Sequence, residues 1–238
     1  MRMDNKRPLV EGIAAMASTI NYYLIPGMGA DKRLFQHFHL PNGTVHHLDW
    51  VPHGESSNLR EYASIMAERI QTDRNILVGS SMGGMVTVEI AKQIKPLGAV
   101  LVSAPAGRHQ FPRSLKSLNT LKLHRALNAR QVMRISRLCD LFMGFKTPEQ
   151  RAMFYEMLEG NGPEFLHFSV GAVLEWQNTL PPDVPYLQIL GSQDKLFNAK
   201  KIPTAHVIEG SGHFTAFEKG KEVSEIIVRW TDELISKD

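Results

Sequence analysis

Three short loops carry the side chains of this chain that could do chemistry together. The first is Gly79-Ser80-Ser81-Met82-Gly83, a G-x-S-x-G pattern. It leaves the apolar run Asn75-Ile76-Leu77-Val78 and enters a largely apolar stretch through Val86, Val88, Ile90, Ala91 and Ile94. In the second, Gly191-Ser192-Gln193-Asp194, a carboxylate follows the apolar run Tyr186-Leu187-Gln188-Ile189-Leu190. The third, Glu209-Gly210-Ser211-Gly212-His213-Phe214, presents a histidine on a glycine-rich loop. A serine hydroxyl alone is a poor nucleophile near neutral pH. A neighbouring imidazole takes its proton, and a carboxylate fixes the imidazole tautomer and stabilises the imidazolium. Ser81, Asp194 and His213 are therefore the candidate catalytic residues, and attack on a carbonyl carbon is the chemistry they suit.

Of the two adjacent serines, only Ser81 has glycine both two residues before it and two residues after it. A serine hydroxyl is projected from the end of a sheet by a sharp strand-to-helix turn, where side chains at Gly79 and Gly83 would collide. Ser80 would have Val78 and Met82 in those places. Asp194 is preferred to Asp183, which sits among prolines, and to Asp140, which falls in a helical stretch.

Such loops need a scaffold that gathers strand ends. Short apolar runs bounded by Gly, Pro or Asn predict strands near residues 22–25, 44–48, 76–78, 99–103, 186–190 and 205–208. Parallel strands buried on both faces have this pattern. Leu59, Tyr62, Ala63, Met66, Ala67 and Ile70 have helical spacing and predict a helix over 59–70. The alternation predicts an α/β fold, a doubly wound, mostly parallel sheet of about six strands with right-handed crossovers.

The stretch between the fourth and fifth of these strands is far longer than an ordinary crossover. It predicts helices over 114–126 and 129–143, with Gly144 as a C-cap. Another starts with Thr147 at N-cap, Pro148 at N1 and Gln150 at N3, and a further one runs from Gly162-Pro163 to about Asn178. The expected organisation is a flexible extension over 1–18, a core from 19–105 and 181–238, and a helical insertion over 106–180.

With the order Ser, Asp, His, the Gly27-Met28-Gly29 loop and the three loops above, the sequence resembles the α/β-hydrolase superfamily from about Asn21 onward. The resemblance implies an oxyanion hole built from the backbone N–H groups of Met28 and Met82, with Gly27 and Gly29 shaping the loop. It also implies that residues 106–180 form a cap over the nucleophile. One departure is Pro26-Gly27, where the superfamily usually has His-Gly. The implied activity is a serine hydrolase cleaving a carboxylic ester or thioester of a small to medium acyl group through an acyl-enzyme. Ligand sensors with slow or no turnover, lyases and C–C hydrolases share the scaffold and stand as alternatives, which turnover would separate. Phe142, Phe145, Phe154, Phe165, Phe168 and Trp176 read as the core of the insertion, with one or two lining an acyl pocket.

With 238 residues and 43% hydrophobic content, the chain suits one sizeable domain with a full core. A single cysteine, Cys139, allows no internal disulfide and suits a reduced, cytoplasmic setting. No apolar run approaches the ~20 residues of a membrane span. There is no phosphate loop or nucleic-acid motif, and the pairs His37/His39 and His46/His47 lack any metal-site context. No cofactor, metal, nucleic acid or membrane is expected, and the chain is expected to be a monomer or homodimer.

The net charge is +3, yet residues 106–180 alone carry +4, and no Asp or Glu occurs from Ala106 to Cys139. A solvated helix face accounts for such a run. The sharper reading makes Arg130, Arg134 and Arg137 a docking surface for an acidic substrate, since a field of one sign steers association. A carboxylate-bearing ester would fit. So would an acyl chain on an acidic carrier protein, which the resemblance suggests because the superfamily includes an esterase acting on a carrier-bound chain in biotin synthesis.

Overall fold

The computed structural model describes residues 19–136, 138 and 140–237; the expected extension over 1–18, Arg137 and Cys139 lie outside the described residues. Six strands form its sheet: β1 (Ile20–Ile25), β2 (Gly43–His47), β3 (Asn75–Ser80), β4 (Gly98–Val102), β5 (Tyr186–Gly191) and β6 (His206–Ile208). They lie in the order β2-β1-β3-β4-β5-β6 and every pairing is parallel. The helices are α1 (Leu59–Ala67), α2 (Met82–Ile94), α3 (Arg113–Leu121), α4 (Ala129–Ser136), α5 (Asp140–Met143), α6 (Pro148–Asn161), α7 (Pro163–Leu174), α8 (Thr215–Glu218) and α9 (Gly220–Ile235).

The central strands β1, β3, β4 and β5 are largely apolar because both sheet faces are covered there, whereas the edge strands β2 and β6 are partly exposed. Tyr23, Ile25, Leu77 and Leu101 turn to one face, where Leu59, Tyr62 and Met66 of α1 and Met85, Val86 and Ile90 of α2 meet them. Tyr22, Leu24, Ile76, Val78 and Val100 turn to the other, against Val223, Ile226 and Ile227 of α9. The alternation follows from the two-residue side-chain period of a strand. At the observed registers, Ser80 pairs with Val102 and Gly79 with Ile25, so the loops that leave β1, β3 and β4 emerge at one edge.

Helices α3 to α7 occupy the long stretch between β4 and β5. Within it, α7 touches α1 and α2 of the sheet layers as well as α3, α4 and α6. The two ends of the stretch are stitched together. The Arg108 guanidinium donates to the carbonyls of Leu174 at 3.0 Å and Trp176 at 2.7 Å, and Trp176 Nε1 donates to the buried Glu89 carboxylate at 2.7 Å.

Several boundaries differ from the sequence expectation for local reasons. The helix expected over 114–126 breaks at Lys122, whose φ is 49°, and resumes as a 3-10 turn over Leu123–Ala126. The break sets His124 and Arg125 on the Glu175 carboxylate, at 2.8 and 2.7 Å. Of the expected 129–143, α4 covers Ala129–Ser136 and α5 covers Asp140–Met143, with Arg137 and Cys139 outside the described residues. Helix α7 ends at Leu174 instead of near Asn178, because Arg108 takes the carbonyls of Leu174 and Trp176. Helix α1 ends at Ala67 and β2 spans Gly43–His47, one residue earlier than expected. Thr147 caps α6 by accepting from Gln150 N at 3.3 Å, Pro148 opens that helix, and Gly144 follows α5 with φ 75°.

Candidate active site

Strand β3 ends at Ser80 and α2 begins at Met82, so Ser81 alone makes the turn. Its φ of 52° and ψ of −117° lie where an L side chain is strained, a conformation that persists only when its surroundings impose it. The surroundings are visible. A Cβ added to Gly79 would stand 2.3 Å from the Gly83 carbonyl oxygen, and one added to Gly83 would stand 2.2 Å from the Pro26 carbonyl oxygen. Ser81 N donates to Val102 O at 2.9 Å, which ties the turn to the end of β4.

Asp194 lies in the loop after β5. One carboxylate oxygen, Oδ1, accepts from Leu196 N at 2.8 Å and Phe197 N at 3.0 Å. The other, Oδ2, lies 2.9 Å from His213 Nδ1, and His213 Nε2 lies 2.9 Å from Ser81 Oγ. With its Nδ1–H given to Asp194, the imidazole turns the lone pair of Nε2 to the hydroxyl. Both Asp194 and His213 are buried, which lowers the local dielectric and strengthens their interaction. Asp183 is exposed and precedes β5, at the opposite end of that strand.

The loops bearing the acid and the histidine are held to one another. Gln193 N donates to Ser211 O at 2.9 Å, and a Cβ on Gly191 would stand 2.3 Å from that same carbonyl oxygen. Thr215 Oγ1 donates to Gly212 O at 2.6 Å, and Ser211 Oγ donates to Glu218 Oε2 at 2.9 Å. Phe214 N donates to Met143 O at 3.2 Å, so the histidine loop is also pinned to α5.

Met28 and Met82 border the same cavity as Ser81 and His213. The Gly27 turn lies directly against the serine, since a Cβ on Gly27 would come within 3.3 Å of Ser81 Cβ. Gly29 has φ 74°, and the Leu158 side chain fills the space a Cβ would need. The cavity measures about 340 Å³ and is mostly apolar, with Leu115, Leu118, Phe142, Met143, Phe154, Leu158, Leu166 and Val173 contributed by the helices between β4 and β5. Leu118 and Phe142 line it and yet are each 43% exposed, so it opens to solvent between α3 and α5.

Of the six aromatics singled out from sequence, Phe142 and Phe154 reach the cavity. Phe145 packs on Phe154 and Phe214, Phe165 on Trp50 and Tyr62, Phe168 on His53, and Trp176 on Phe111. Phe197 and Phe214, which lie outside those six, also line the cavity. Their nearness in the chain to Asp194 and His213 was the available signal.

Arg130 and Arg134 are exposed on α4. Arg125 and Arg108 of the same basic run are engaged with Glu175 and with backbone carbonyls. Among the described residues, no group of His, Cys, Asp and Glu could hold a metal ion, and no helix is long and apolar enough to cross a membrane. A hydroxyl, an imidazole and a carboxylate in series beside an apolar cavity suit acyl transfer to serine and then to water.

Residues 23–226 match the alpha/beta hydrolase family. No curated protein matches the chain. A lipase-esterase related protein from Clostridium acetobutylicum superposes with a TM-score of 0.66 at 18% identity, over 89% of this chain and 94% of its own. A thermophilic esterase from Thermogutta terrifontis superposes with a TM-score of 0.68 at 16% identity, over 91% of this chain and 90% of its own. At these identities the likeness is one of fold.

Proposed function

The chain belongs to the alpha/beta hydrolase family, and from that premise we propose that it is a serine hydrolase cleaving a carboxylic ester or thioester of a small to medium acyl group. The observation that carries the reading is the series Asp194–His213–Ser81, with both contacts at 2.9 Å, beside an apolar cavity. Ser81 Oγ attacks the acyl carbon while its proton passes to His213 Nε2. Asp194 holds the imidazole and stabilises the imidazolium. The carbonyl oxygen becomes an oxyanion between the N–H groups of Met28 and Met82, and His213 returns the proton to the departing alcohol or thiol. Water, deprotonated by the same imidazole, then releases the acid. The descriptions of two proteins sharing the fold, as esterase and as lipase-esterase related, support this class.

Residues 106–180 act in this reading as a cap whose apolar side chains receive the acyl group. Arg130 and Arg134 on α4 offer charge to an acidic substrate approaching the mouth between α3 and α5; Ser136, at the end of α4, lines the same cavity. The test is labelling with a fluorophosphonate, followed by turnover of p-nitrophenyl esters and acyl thioesters of increasing chain length. Labelling of Ser81 with turnover supports the hydrolase. Labelling without turnover of any of them would favour a ligand sensor on the same scaffold.

A further inference from the structure

The loop that carries Met28 has an anchor on the far side of its peptide. Trp50 Nε1 donates to the Gly27 carbonyl oxygen at 3.1 Å, and Ala30 N donates to the same oxygen at 3.0 Å. The Gly27 carbonyl and the Met28 N–H belong to one peptide unit. That unit is planar and trans, so its C=O and N–H point in opposite directions. Whatever fixes the oxygen therefore fixes the direction of the N–H. A carbonyl that accepts two hydrogen bonds is also polarised, and its peptide N–H becomes a better donor.

Trp50 is itself held in place. The Tyr62 hydroxyl accepts from Val51 N at 3.1 Å and donates to Val51 O at 2.9 Å, clamping the backbone next to the indole. Tyr62 is fully buried, and burial pushes its phenol up to about 12, so it stays a donor at any ordinary pH. The indole packs against the rings of Tyr62, with centroids 6.0 Å apart, and Phe165, at 5.6 Å. Trp50 does not line the Ser81 cavity, so substrate need not touch it.

We infer that Trp50 is a positioning residue for the oxyanion hole, acting through the Gly27–Met28 peptide to aim the Met28 N–H at the oxyanion. The inference rests on the serine-hydrolase reading above and adds a residue outside the lining of the Ser81 cavity. A donor aimed at charge that appears only in the transition state changes kcat and leaves ground-state binding alone.

The experiment is Trp50→Phe, which keeps a ring and removes the N–H. Steady-state kinetics on a p-nitrophenyl ester are measured together with the affinity of a trifluoromethyl ketone and of the product carboxylate. The ketone forms a bond from its carbonyl carbon to Ser81 Oγ, its π pair becomes the oxyanion, and the serine proton moves to His213. Losing a whole oxyanion donor costs ~10²–10³, so misaiming one is expected to lower kcat roughly 10- to 100-fold. The ketone should weaken by a similar factor, while KM and the product's affinity stay within about two-fold.

Phe165→Leu keeps the N–H and only loosens the packing of the indole, so its kcat is expected to fall less than that of Trp50→Phe. Wild-type kcat and ketone affinity in Trp50→Phe would overturn the inference and leave Ser81 in its role. So would a loss shared by KM and product affinity, since that marks general damage. A wild-type protein that neither labels at Ser81 nor turns over would instead remove the hydrolase reading, and the role of Trp50 with it.

Discussion

Gly83 and Pro26 meet backbone to backbone: a Cβ on Gly83 would stand 2.2 Å from the Pro26 carbonyl oxygen and 2.3 Å from that of Ile25. The missing side chain lets the loop bearing Met28 close against the turn bearing Ser81. Neither backbone segment has a flexible end that could move aside. Gly83→Ala is therefore expected to lower Tm by several degrees and to abolish fluorophosphonate labelling. Gly160→Ala, where nothing lies within 4 Å of the added Cβ, should keep full labelling. Normal labelling of Gly83→Ala would mean that the two segments separate freely.

Asp194→Asn keeps the shape of the side chain but favours the wrong tautomer of His213. The expected loss is on the order of 10⁴ in kcat with the fold retained. Steady-state kinetics and a thermal melt decide it. Near-normal turnover would move the acid's role to another residue.

A pH effect is expected away from the active site. The Arg125 hydrogen bond, helped by His124, holds the Glu175 carboxyl down to about 2, against a burial effect that raises it. A carboxylate depressed on folding contributes stability above its unfolded value, here 4.5, and loses it as pH falls toward about 2. Glu175 and Arg125 are partly exposed, so the contribution is on the order of 1 kcal/mol. Urea unfolding should show Glu175→Gln destabilised by that amount above about pH 5, with the difference fading as pH approaches about 2. A difference that ignores pH would assign the effect to packing.

Arg130 and Arg134 test the approach of an acidic substrate. Reversing both to Glu should raise KM for a carboxylate-bearing ester several-fold and flatten its salt dependence, because exposed charges act through a screened field. A small neutral ester should be turned over as before. Equal losses on both esters would show only that the cap had been damaged.

The sheet was legible chiefly through its central strands, whose two buried faces write them as short apolar runs. Ser81, Asp194 and His213 could be grouped because each follows such a run, and their loops leave the sheet at one end. The insertion was less legible. Its break at Lys122 comes from the meeting of His124 and Arg125 with Glu175, some 50 residues away, and no local pattern announces it. Helix α7 stops where Arg108 reaches its carbonyls, again a distant partner. Trp50 is the sharpest case. Nothing near it in sequence links it to Gly27, and only the packing of β2's following loop against β1's brings the indole to that carbonyl.

The central claim is that Ser81 is the nucleophile, and fluorophosphonate labelling of wild type, Ser81→Ala and Ser80→Ala tests it most directly. Ser81 Oγ lies 2.9 Å from His213 Nε2. The expected result is a labelled wild type, a labelled Ser80→Ala, and a folded Ser81→Ala that takes no label and loses turnover by several orders of magnitude. Full labelling of Ser81→Ala, with the label lost instead in Ser80→Ala, would contradict the account.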